Sequence, residues 1–408
     1  MDSGRSPGRP DAAPAPQADL VSRHARRLTS ETARRDEAAR LDGEILAAIG
    51  RGWSAPLDDA AFDELARAIF AHQFRFHPVY RQFCQLQGVS APADVASWRE
   101  IPSVPAGAFK VGRWATFPPA AEVAAFETSG TTQGAAGRHA FDTLALYNAA
   151  IVPAARRLLV PDLEPGGRMR CLFLTPPPAA APASSLVHMF AVFREVFGAA
   201  ESAYLPAGER AGRQAAAQAL ARALEATVRS GEPVLLAGPA LAFRHVLTAL
   251  GDRRWELPAG SRAMVTGGFK GRRADAEPDQ LAEDLATRLT IPRTHQVPEY
   301  GMTELSSQCY GAGLRQALGL DVAGSVGTFL PPPWMRVRVV EPLTGQELPP
   351  GDPGALVFTD LANRGSAVML QTSDLGMADA AGFTLAGREP GAEARGCSLA
   401  ADLWLDAP

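Results

Sequence analysis

Three short apolar segments that each stop at proline or glycine constrain the fold of this chain most strongly. They are residues 170–174, 233–236 and 262–266. Each is too short for a helix, and segments of helix-forming residues such as 209–229 lie between them. Such runs indicate buried strands that lead into loops and helices. We therefore predict an α/β fold.

The two ends of the chain differ from this centre. Helical spacing predicts amphipathic helices over residues 28–46 and 58–86, the second broken near Pro78, and an extended connector over residues 98–110. The predicted divisions are a disordered tail over 1–20, a helical region over 21–97, an α/β core over 98–324 and a β-rich subdomain over 325–408.

Composition excludes several classes of function. The chain has 408 residues with 40 basic and 44 acidic side chains, so its net charge of −4 argues against a nucleic-acid partner. Its four cysteines form no CxxC pair, which argues against a disulfide framework and a thiolate zinc site. No apolar run reaches the roughly 18 residues of a membrane span, and the first residues lack a signal pattern. We expect a cytoplasmic protein with no membrane span.

Residues 127–139 (ETSGTTQGAAGRH) are suited to phosphate binding. Glycines let backbone N–H groups approach an anion, hydroxyls add further donors, and Arg138 supplies a positive charge. The segment is not a Walker loop, and no GxGxxG follows a strand, so nucleotide-binding folds of those two kinds are disfavoured. Taken alone, the segment is more typical of a solvated linker, but it occurs together with the motifs described next. Its hydroxyl and glycine residues are Thr128, Ser129, Gly130, Thr131, Thr132, Gly134 and Gly137.

Two further segments carry groups that suit a nucleotide. Residues 300–304 (YGMTE), here called the acidic turn, combine an aromatic ring that can stack on a base with a carboxylate that can hold Mg²⁺. Residues 371–376 (QTSDLG) contain Asp374, which can accept hydrogen bonds from ribose hydroxyls. Each has an ordinary structural alternative, because Glu304 is also a common helix-start residue and Asp374 a common turn former.

These motifs together resemble the adenylate-forming acyl ligases. Ser-Gly-Thr-Thr at 129–132, YGMTE, Asp374 and the stretch from Gly387-Arg388 to Arg395-Gly396 occur in the order found in that superfamily. More narrowly, the segments IPSVPAGAFK, EYGMTELSSQ and RGCSL are similar to the acyl-protein synthetases (LuxE-type) that accompany acyl reductases in bacterial bioluminescence. The similarity runs from about Trp98 to Leu405.

The resemblance implies an adenylate-forming core that uses ATP and Mg²⁺ to convert a carboxylic acid to acyl-AMP. The apolar residues Met189, Phe190 and Phe193 suggest a fatty or aryl acid, although such a stripe is usually plain core. The residues implied to bind the nucleotide are Ser129, Gly130, Thr131, Thr132, Gly134, Arg138, Gly267, Gly268, Tyr300, Gly301, Thr303, Asp374 and Arg388. Those implied to be catalytic are Cys397, Thr131, Glu304 and His188, with Glu304 also as the metal ligand.

Two departures from the superfamily shape the expected chemistry. Arg138 stands where larger ligases have a lysine that closes the phosphate loop. Only residues 397–408 follow Gly396, so we expect the usual C-terminal lid and its catalytic lysine to be missing. Lys110 and Lys270, the only lysines, are candidates to replace it.

Cys397 follows the hinge motif directly, and the resemblance implies that it takes the acyl group as a thioester for a partner acyl reductase. The alternative is a structural cysteine in a final strand. In that case the enzyme transfers the acyl group to coenzyme A or to a carrier-protein thiol. A third hypothesis is an inactive nucleotide-binding partner of a reductase, which would bind ATP without acid-dependent pyrophosphate release.

Overall fold

The three apolar segments form neighbouring parallel strands within one large sheet. The computed structural model describes residues 16–128, 136–206, 210–267 and 277–388. The strands are β1 (Val104–Pro105), β2 (Ala124–Glu127), β3 (Arg138–Phe141), β4 (Arg170–Phe173), β5 (Ala203–Tyr204), β6 (Val234–Pro239), β7 (Arg262–Thr266), β8 (Gln296–Tyr300), β9 (Cys309–Gly311), β10 (Phe329–Leu330), β11 (Met335–Val340), β12 (Gly354–Asp360), β13 (Met369–Asp379) and β14 (Gly382–Arg388).

Helices cover the sheet and form the N-terminal region. They are α1 (Pro16–Arg51), α2 (Asp59–Phe76), α3 (Pro78–Leu86), α4 (Ala145–Leu158), α5 (Ser185–Val196), α6 (Arg210–Ser230), α7 (Ala240–Ala249), α8 (Glu277–Leu289) and α9 (Gly313–Ala317). Within the described ranges, no helix is long and apolar enough to cross a lipid bilayer.

The large sheet has a parallel part and an antiparallel part. Its order is β11-β12-β13-β14-β10-β9-β8-β7-β6-β4-β5, and β1 adds to β13. Strands β4 to β8 run parallel, and β6 is buried along its whole length because helices cover both faces of the sheet. The prediction of an α/β fold with these strands is confirmed.

The C-terminal strands continue the core sheet. The sequence predicted a β-rich subdomain over 325–408, and β10 to β14 are indeed strands. However, β10 pairs with β9 and joins them to the same sheet as the parallel strands. The apolar core extends across this junction, because Tyr300 contacts Phe329, Phe358 and Phe383 through their rings. The change in sequence pattern therefore marks a change of strand direction within one sheet.

The N-terminal helices follow the predicted pattern with shifted ends. The chain breaks between α2 and α3 at His77, which is extended, and Pro78 begins α3 at a position where its missing N–H costs nothing. Asp58 caps α2 by accepting a hydrogen bond from the N–H of Ala61 at 2.8 Å. Helix α1 already begins at Pro16, so the last part of the range predicted as a disordered tail is helical. The remaining tail, residues 1–15, lies outside the described residues.

The predicted extended connector over residues 98–110 is wrong in part. Strand β1 is extended and pairs with β13, but 3₁₀ turns form at Trp98–Glu100 and Ala106–Lys110. Ser97 caps the first of these turns, since its hydroxyl accepts from the N–H of Arg99. Prolines in this stretch exclude a regular helix but are compatible with short turns that begin after them.

Candidate functional site

The acidic turn follows the C-terminal end of β8, beside the antiparallel strands. Tyr300 donates its hydroxyl to Asp374 Oδ2 at 2.9 Å, and Arg388 Nε donates to Asp374 Oδ1 at 2.6 Å. Asp374 and Arg388 lie opposite each other on β13 and β14. The fold therefore brings together three residues that the sequence assigned to one nucleotide site from positions far apart in the chain.

Tyr300 is almost fully enclosed by aromatic side chains. Its ring stacks on Phe358, with centroids 5.2 Å apart, and meets the rings of Phe329 and Phe383 edge-on. Burial, together with the charge of Asp374, raises the pKa of the Tyr300 phenol well above its usual value. Tyr300 is thus a neutral hydrogen-bond donor that holds one oxygen of Asp374.

The phosphate-suited segment is framed by the hairpin of β2 and β3. Thr128 and Gly137 close the loop between these strands and are here called the hairpin base. The N–H of Thr128 donates to the carbonyl of Gly137 at 2.8 Å, and the N–H of Gly137 donates to Thr128 Oγ1 at 2.6 Å. A Cβ built at Gly137 would lie 2.8 Å from Thr128 Oγ1, so this close approach requires glycine. The predicted phosphate ligands Ser129, Gly130, Thr131, Thr132 and Gly134 lie outside the described residues.

His139 links the base of this hairpin to the acidic turn. It lies on β3 next to Arg138, and its Nδ1 is 2.8 Å from the carbonyl oxygen of Thr303. Its Nε2 is 2.9 Å from Ser366 Oγ. His139 was not predicted as a site residue, because one histidine beside an arginine carries no spacing signal. This contact places the strand that leaves the hairpin loop beside the acidic turn.

Three cationic side chains of the described ranges lie near the hairpin. Arg138, expected to close the phosphate segment, binds Glu122 with both terminal nitrogens, and Arg113 also lies within 3.5 Å of that carboxylate. Lys110 lies at the hairpin base, since its Cγ is 3.3 Å from a Cβ built at Gly137. Lys270 lies outside the described residues.

A loop over residues 360–366 (DLANRGS), here called the bracing loop, holds the acidic turn and the residues that follow it. Asp360 accepts the N–H groups of Ser306 and Ser307 at 3.0 and 2.9 Å. Asn363 donates to the carbonyl of Glu304 at 2.8 Å. Burial raises the pKa of Asp360 to about 6, and its hydrogen-bond donors oppose that shift. This loop could not be predicted as part of the site, because Asx, glycine and serine after a strand are typical of any turn.

The bracing loop also ties the N-terminal helices to the site. Arg364, which is 2% exposed, forms bidentate ion pairs with Asp42 of α1 and with Asp142 just after β3. Gln73 of α2 donates to the carbonyl of Asn363 at 2.8 Å. The helical region thus contacts the loop that holds the acidic turn.

Two further predicted site residues, His188 and Gly267, lie in described parts of the chain. His188, on α5, has Nε2 2.7 Å from Asn148 Oδ1, and its ring lies between Phe126 of β2 and Tyr147. Burial lowers its pKa, which favours the neutral ring. Gly267 directly follows β7, with a φ of 68°, and β7 pairs with β8. Gly268 lies outside the described residues.

Comparison with known proteins identifies the family of this chain. The family model of the LuxE acyl-protein synthetases matches residues 34–403. The chain belongs to the LuxE acyl-protein synthetase family. It is therefore an adenylate-forming ligase, as the motifs predicted. A comparison with curated proteins gave no match.

The fold of this family member is that of adenylate-forming ligases. An open conformation of 2-hydroxyisobutyryl-CoA ligase in complex with 2-HIB-AMP and CoA has 15% identity and a TM-score of 0.55, over 82% of this chain and 71% of that chain. The thioesterification state of that ligase has 16% identity and a TM-score of 0.56, over 82% and 69%. At these identities the likeness establishes the fold alone.

The described cysteines of this family member are poor nucleophiles. Cys84, Cys171 and Cys309 are buried, and burial raises the pKa of the first two thiols to about 12 and that of Cys309 well above its usual value. A thiol acts as a nucleophile through its thiolate, which is scarce at such pKa values. Cys397 lies outside the described residues.

The donor set fits a magnesium ion that is bound mainly through nucleotide phosphates. In the ranges that the structure describes, no three histidine, cysteine, aspartate or glutamate side chains cluster as a metal site. Glu304, 3% exposed, carries a carboxylate with hard oxygen donors and follows Thr303, whose carbonyl contacts His139 of the hairpin. Mg²⁺ commonly takes one or two carboxylates, phosphate oxygens and water. Glu304 would hold it in that manner, and its charge would offset that of the phosphates.

Proposed function

We propose that this synthetase activates a fatty or aryl carboxylic acid with ATP and transfers the acyl group to Cys397. A carboxylate oxygen attacks the α-phosphorus, which releases pyrophosphate and forms acyl-AMP. The Cys397 thiolate then attacks the acyl carbonyl carbon, which releases AMP and forms a thioester. A partner acyl reductase consumes that thioester.

One observation supports the adenylation step of this proposal. The acidic turn touches both other parts of the site, through Tyr300 to Asp374 and through the Thr303 carbonyl to His139 at the hairpin base. A nucleotide with its phosphates in residues 129–135 therefore has the proposed metal ligand and ribose ligand within one site. Hydrogen-bond donors and a cation there offset the charge that develops on the phosphates.

Binding of the ribose adds contacts to Asp374 beside those already present. Both oxygens of Asp374 already accept hydrogen bonds, from Tyr300 and Arg388. Each carboxylate oxygen has a second lone pair, so ribose hydroxyls can be added without loss of either contact. These two donors also hold Asp374 in one orientation before the nucleotide arrives.

Lys110 is the lysine that the structure supports as a phosphate ligand. Its side chain packs beside Gly137 and Thr128, where residues 129–135 begin and end. The ion pair of Arg138 with Glu122 directs that guanidinium toward another partner. We therefore assign to Lys110 a positive charge that offsets those of the nucleotide phosphates.

The cysteine assignment rests on the states of the other thiols. The chain has four cysteines, and the three that the structure describes are buried with raised pKa values. An acyl-accepting cysteine of this chain is accordingly Cys397, the residue that the RGCSL segment suggests. The apolar stripe does not identify the acid, because Phe190 stacks on Phe173 and Met189 contacts Tyr310 within the core.

The test combines acid-dependent ATP–pyrophosphate exchange with covalent labelling by a radioactive acid. A panel of fatty and aromatic acids identifies the substrate. We expect Cys397→Ser to retain the exchange and lose the label, and Cys171→Ala, a matched change at a buried thiol, to retain both. We expect Lys110→Met to slow the exchange about 10²-fold, the scale typical of a lost transition-state contact.

The other outcomes identify the competing functions. If Cys397→Ser transfers acyl groups to coenzyme A or a carrier-protein thiol at the full rate, the enzyme is an acyl ligase of that kind. If the wild-type chain binds ATP but no acid stimulates exchange, with or without an acyl reductase, it is an inactive nucleotide-binding partner.

A further inference from the structure

The contacts of His139 define one tautomer of its ring. Its Nδ1 faces the carbonyl oxygen of Thr303, which can only accept, so Nδ1 carries the hydrogen. Its Nε2 therefore has the lone pair and accepts the hydroxyl of Ser366. Each nitrogen thus has one partner, on a different segment of the chain.

The ring cannot leave this arrangement easily. His139 is 2% exposed and is packed against Phe109 and Phe141, whose ring centroids lie 5.5 and 4.2 Å away. Burial lowers its pKa to about 4, so the ring is neutral near pH 7. A neutral, enclosed ring with two directional hydrogen bonds fixes the distance between the elements that it joins.

Those elements are the parts of the proposed site. His139 is two residues from Gly137, which closes the hairpin base, and Thr303 precedes Glu304 in the acidic turn. Ser366 belongs to the bracing loop, whose Asn363 holds the carbonyl of Glu304. The carbonyls of two consecutive residues, Thr303 and Glu304, are therefore held by side chains from two different elements.

We propose that His139 is a positioning residue that fixes the acidic turn against the hairpin base, so that Glu304 is presented to the nucleotide in a productive geometry. This inference rests on the proposed function and names the residue that aligns its two halves. Displacement of a reacting group by about 1 Å can slow a reaction about 10²-fold, so such alignment has a large kinetic effect.

Two substitutions separate the two hydrogen bonds. In His139→Asn, the side-chain amide can place an N–H near the position of Nδ1 and keep the bond to Thr303. In His139→Gln, the longer side chain reaches toward Ser366 instead, and the Thr303 carbonyl loses its donor. We expect His139→Gln to lower kcat of the exchange reaction, per folded enzyme, about 10²-fold, and His139→Asn to recover most of that loss.

His72 provides a matched control. It is also a fully buried histidine, on α2, and neither of its ring nitrogens has a hydrogen-bond partner within the described residues. We expect His72→Gln to change the denaturation midpoint but leave kcat per folded enzyme unchanged. If both His139 variants lose activity only in proportion to their folded fraction, as His72→Gln does, the positioning role is wrong.

A second measurement keeps the inference separate from the proposed function. Binding of ATP with Mg²⁺, measured by calorimetry, requires no acid substrate. We expect His139→Gln to weaken it about tenfold and His72→Gln to leave it unchanged. Wild-type binding without exchange would overturn the proposed function alone, whereas equal ATP affinities of wild type and His139→Gln would overturn the inference alone. A wild-type chain that binds no ATP would overturn both.

Discussion

The two sides of the site are held in different ways. The hairpin base is held locally, by hydrogen bonds between Thr128 and Gly137, which are nine residues apart. The acidic turn and the serines after it are held from a distance, by Asp360 and Asn363, more than fifty residues further along the chain.

The hairpin base therefore depends on local contacts, whereas the acidic turn depends on contacts that form only when distant parts of the chain have folded together. Two adjacent strands with a glycine at their base can pair whenever they meet. The acidic turn needs the sheet from β8 to β12 to be complete before Asp360 can reach it. We therefore expect damage to the bracing loop to affect both stability and activity, and damage to the hairpin base to affect nucleotide binding alone.

The largest expected effect is that of Asp360→Ala. This change leaves the N–H groups of Ser306, Ser307 and Ala362 and the Ser307 hydroxyl without their acceptor. Since each buried unpaired donor costs about 1–3 kcal/mol, we expect a loss of about 3 kcal/mol or more in unfolding free energy, and no exchange activity. Urea denaturation measures the unfolding free energy, and pyrophosphate exchange measures the activity.

Asp360→Asn is the control for this prediction. It keeps the shape and one acceptor oxygen, so it should lose less unfolding free energy than Asp360→Ala. A loss under about 1 kcal/mol in Asp360→Ala would show that the turn is held by other contacts.

Gly137→Ala tests the local side with a smaller effect. Its new Cβ would lie 2.8 Å from Thr128 Oγ1 and 3.3 Å from Lys110 Cγ, so the hairpin base must open. We expect KM for ATP to rise about tenfold while the denaturation midpoint stays near that of wild type. Gly112→Ala is the control, because a Cβ there meets no atom within 4 Å. Equal KM values for the two variants would contradict a role of the hairpin base in nucleotide binding.

The smallest expected effect is the contribution of His72, on α2, to the pH dependence of the unfolding free energy. Burial and the charge of Arg364 lower the pKa of His72 from 6.5 to about 3. Below about pH 6.5, His72 is protonated in the unfolded chain but neutral in the folded chain. The unfolding free energy therefore falls as the pH falls from 6.5 toward 3. Between pH 7 and pH 6 we expect this histidine to contribute a loss of less than about 1 kcal/mol.

His72→Gln removes that contribution, so its unfolding free energy should vary less with pH than that of wild type. Denaturation at several pH values measures the difference. Identical pH profiles for the two proteins would show that His72 has a similar pKa in the folded and unfolded chains.

Much of the architecture could be predicted from the sequence because its signals are local. Apolar runs that end at glycine or proline predict β4, β6 and β7, and helical spacing with Pro78 predicts the break between α2 and α3. The motif residues Tyr300, Asp374 and Arg388 were assigned to one site, and the structure joins them by direct hydrogen bonds. Their roles toward a nucleotide remain predictions.

The sequence by itself determined which chemical groups the chain carries and which strands and helices its local patterns favour. Only the tertiary structure decided that Arg138 pairs with Glu122, that Asp360 holds the residues after the acidic turn, and that His139 joins two motifs. The physical reason is the separation along the chain of the residues that interact. Propensity and periodicity act between residues that are close in the chain, whereas these hydrogen bonds form between residues from 16 to 227 positions apart and exist only in the folded chain.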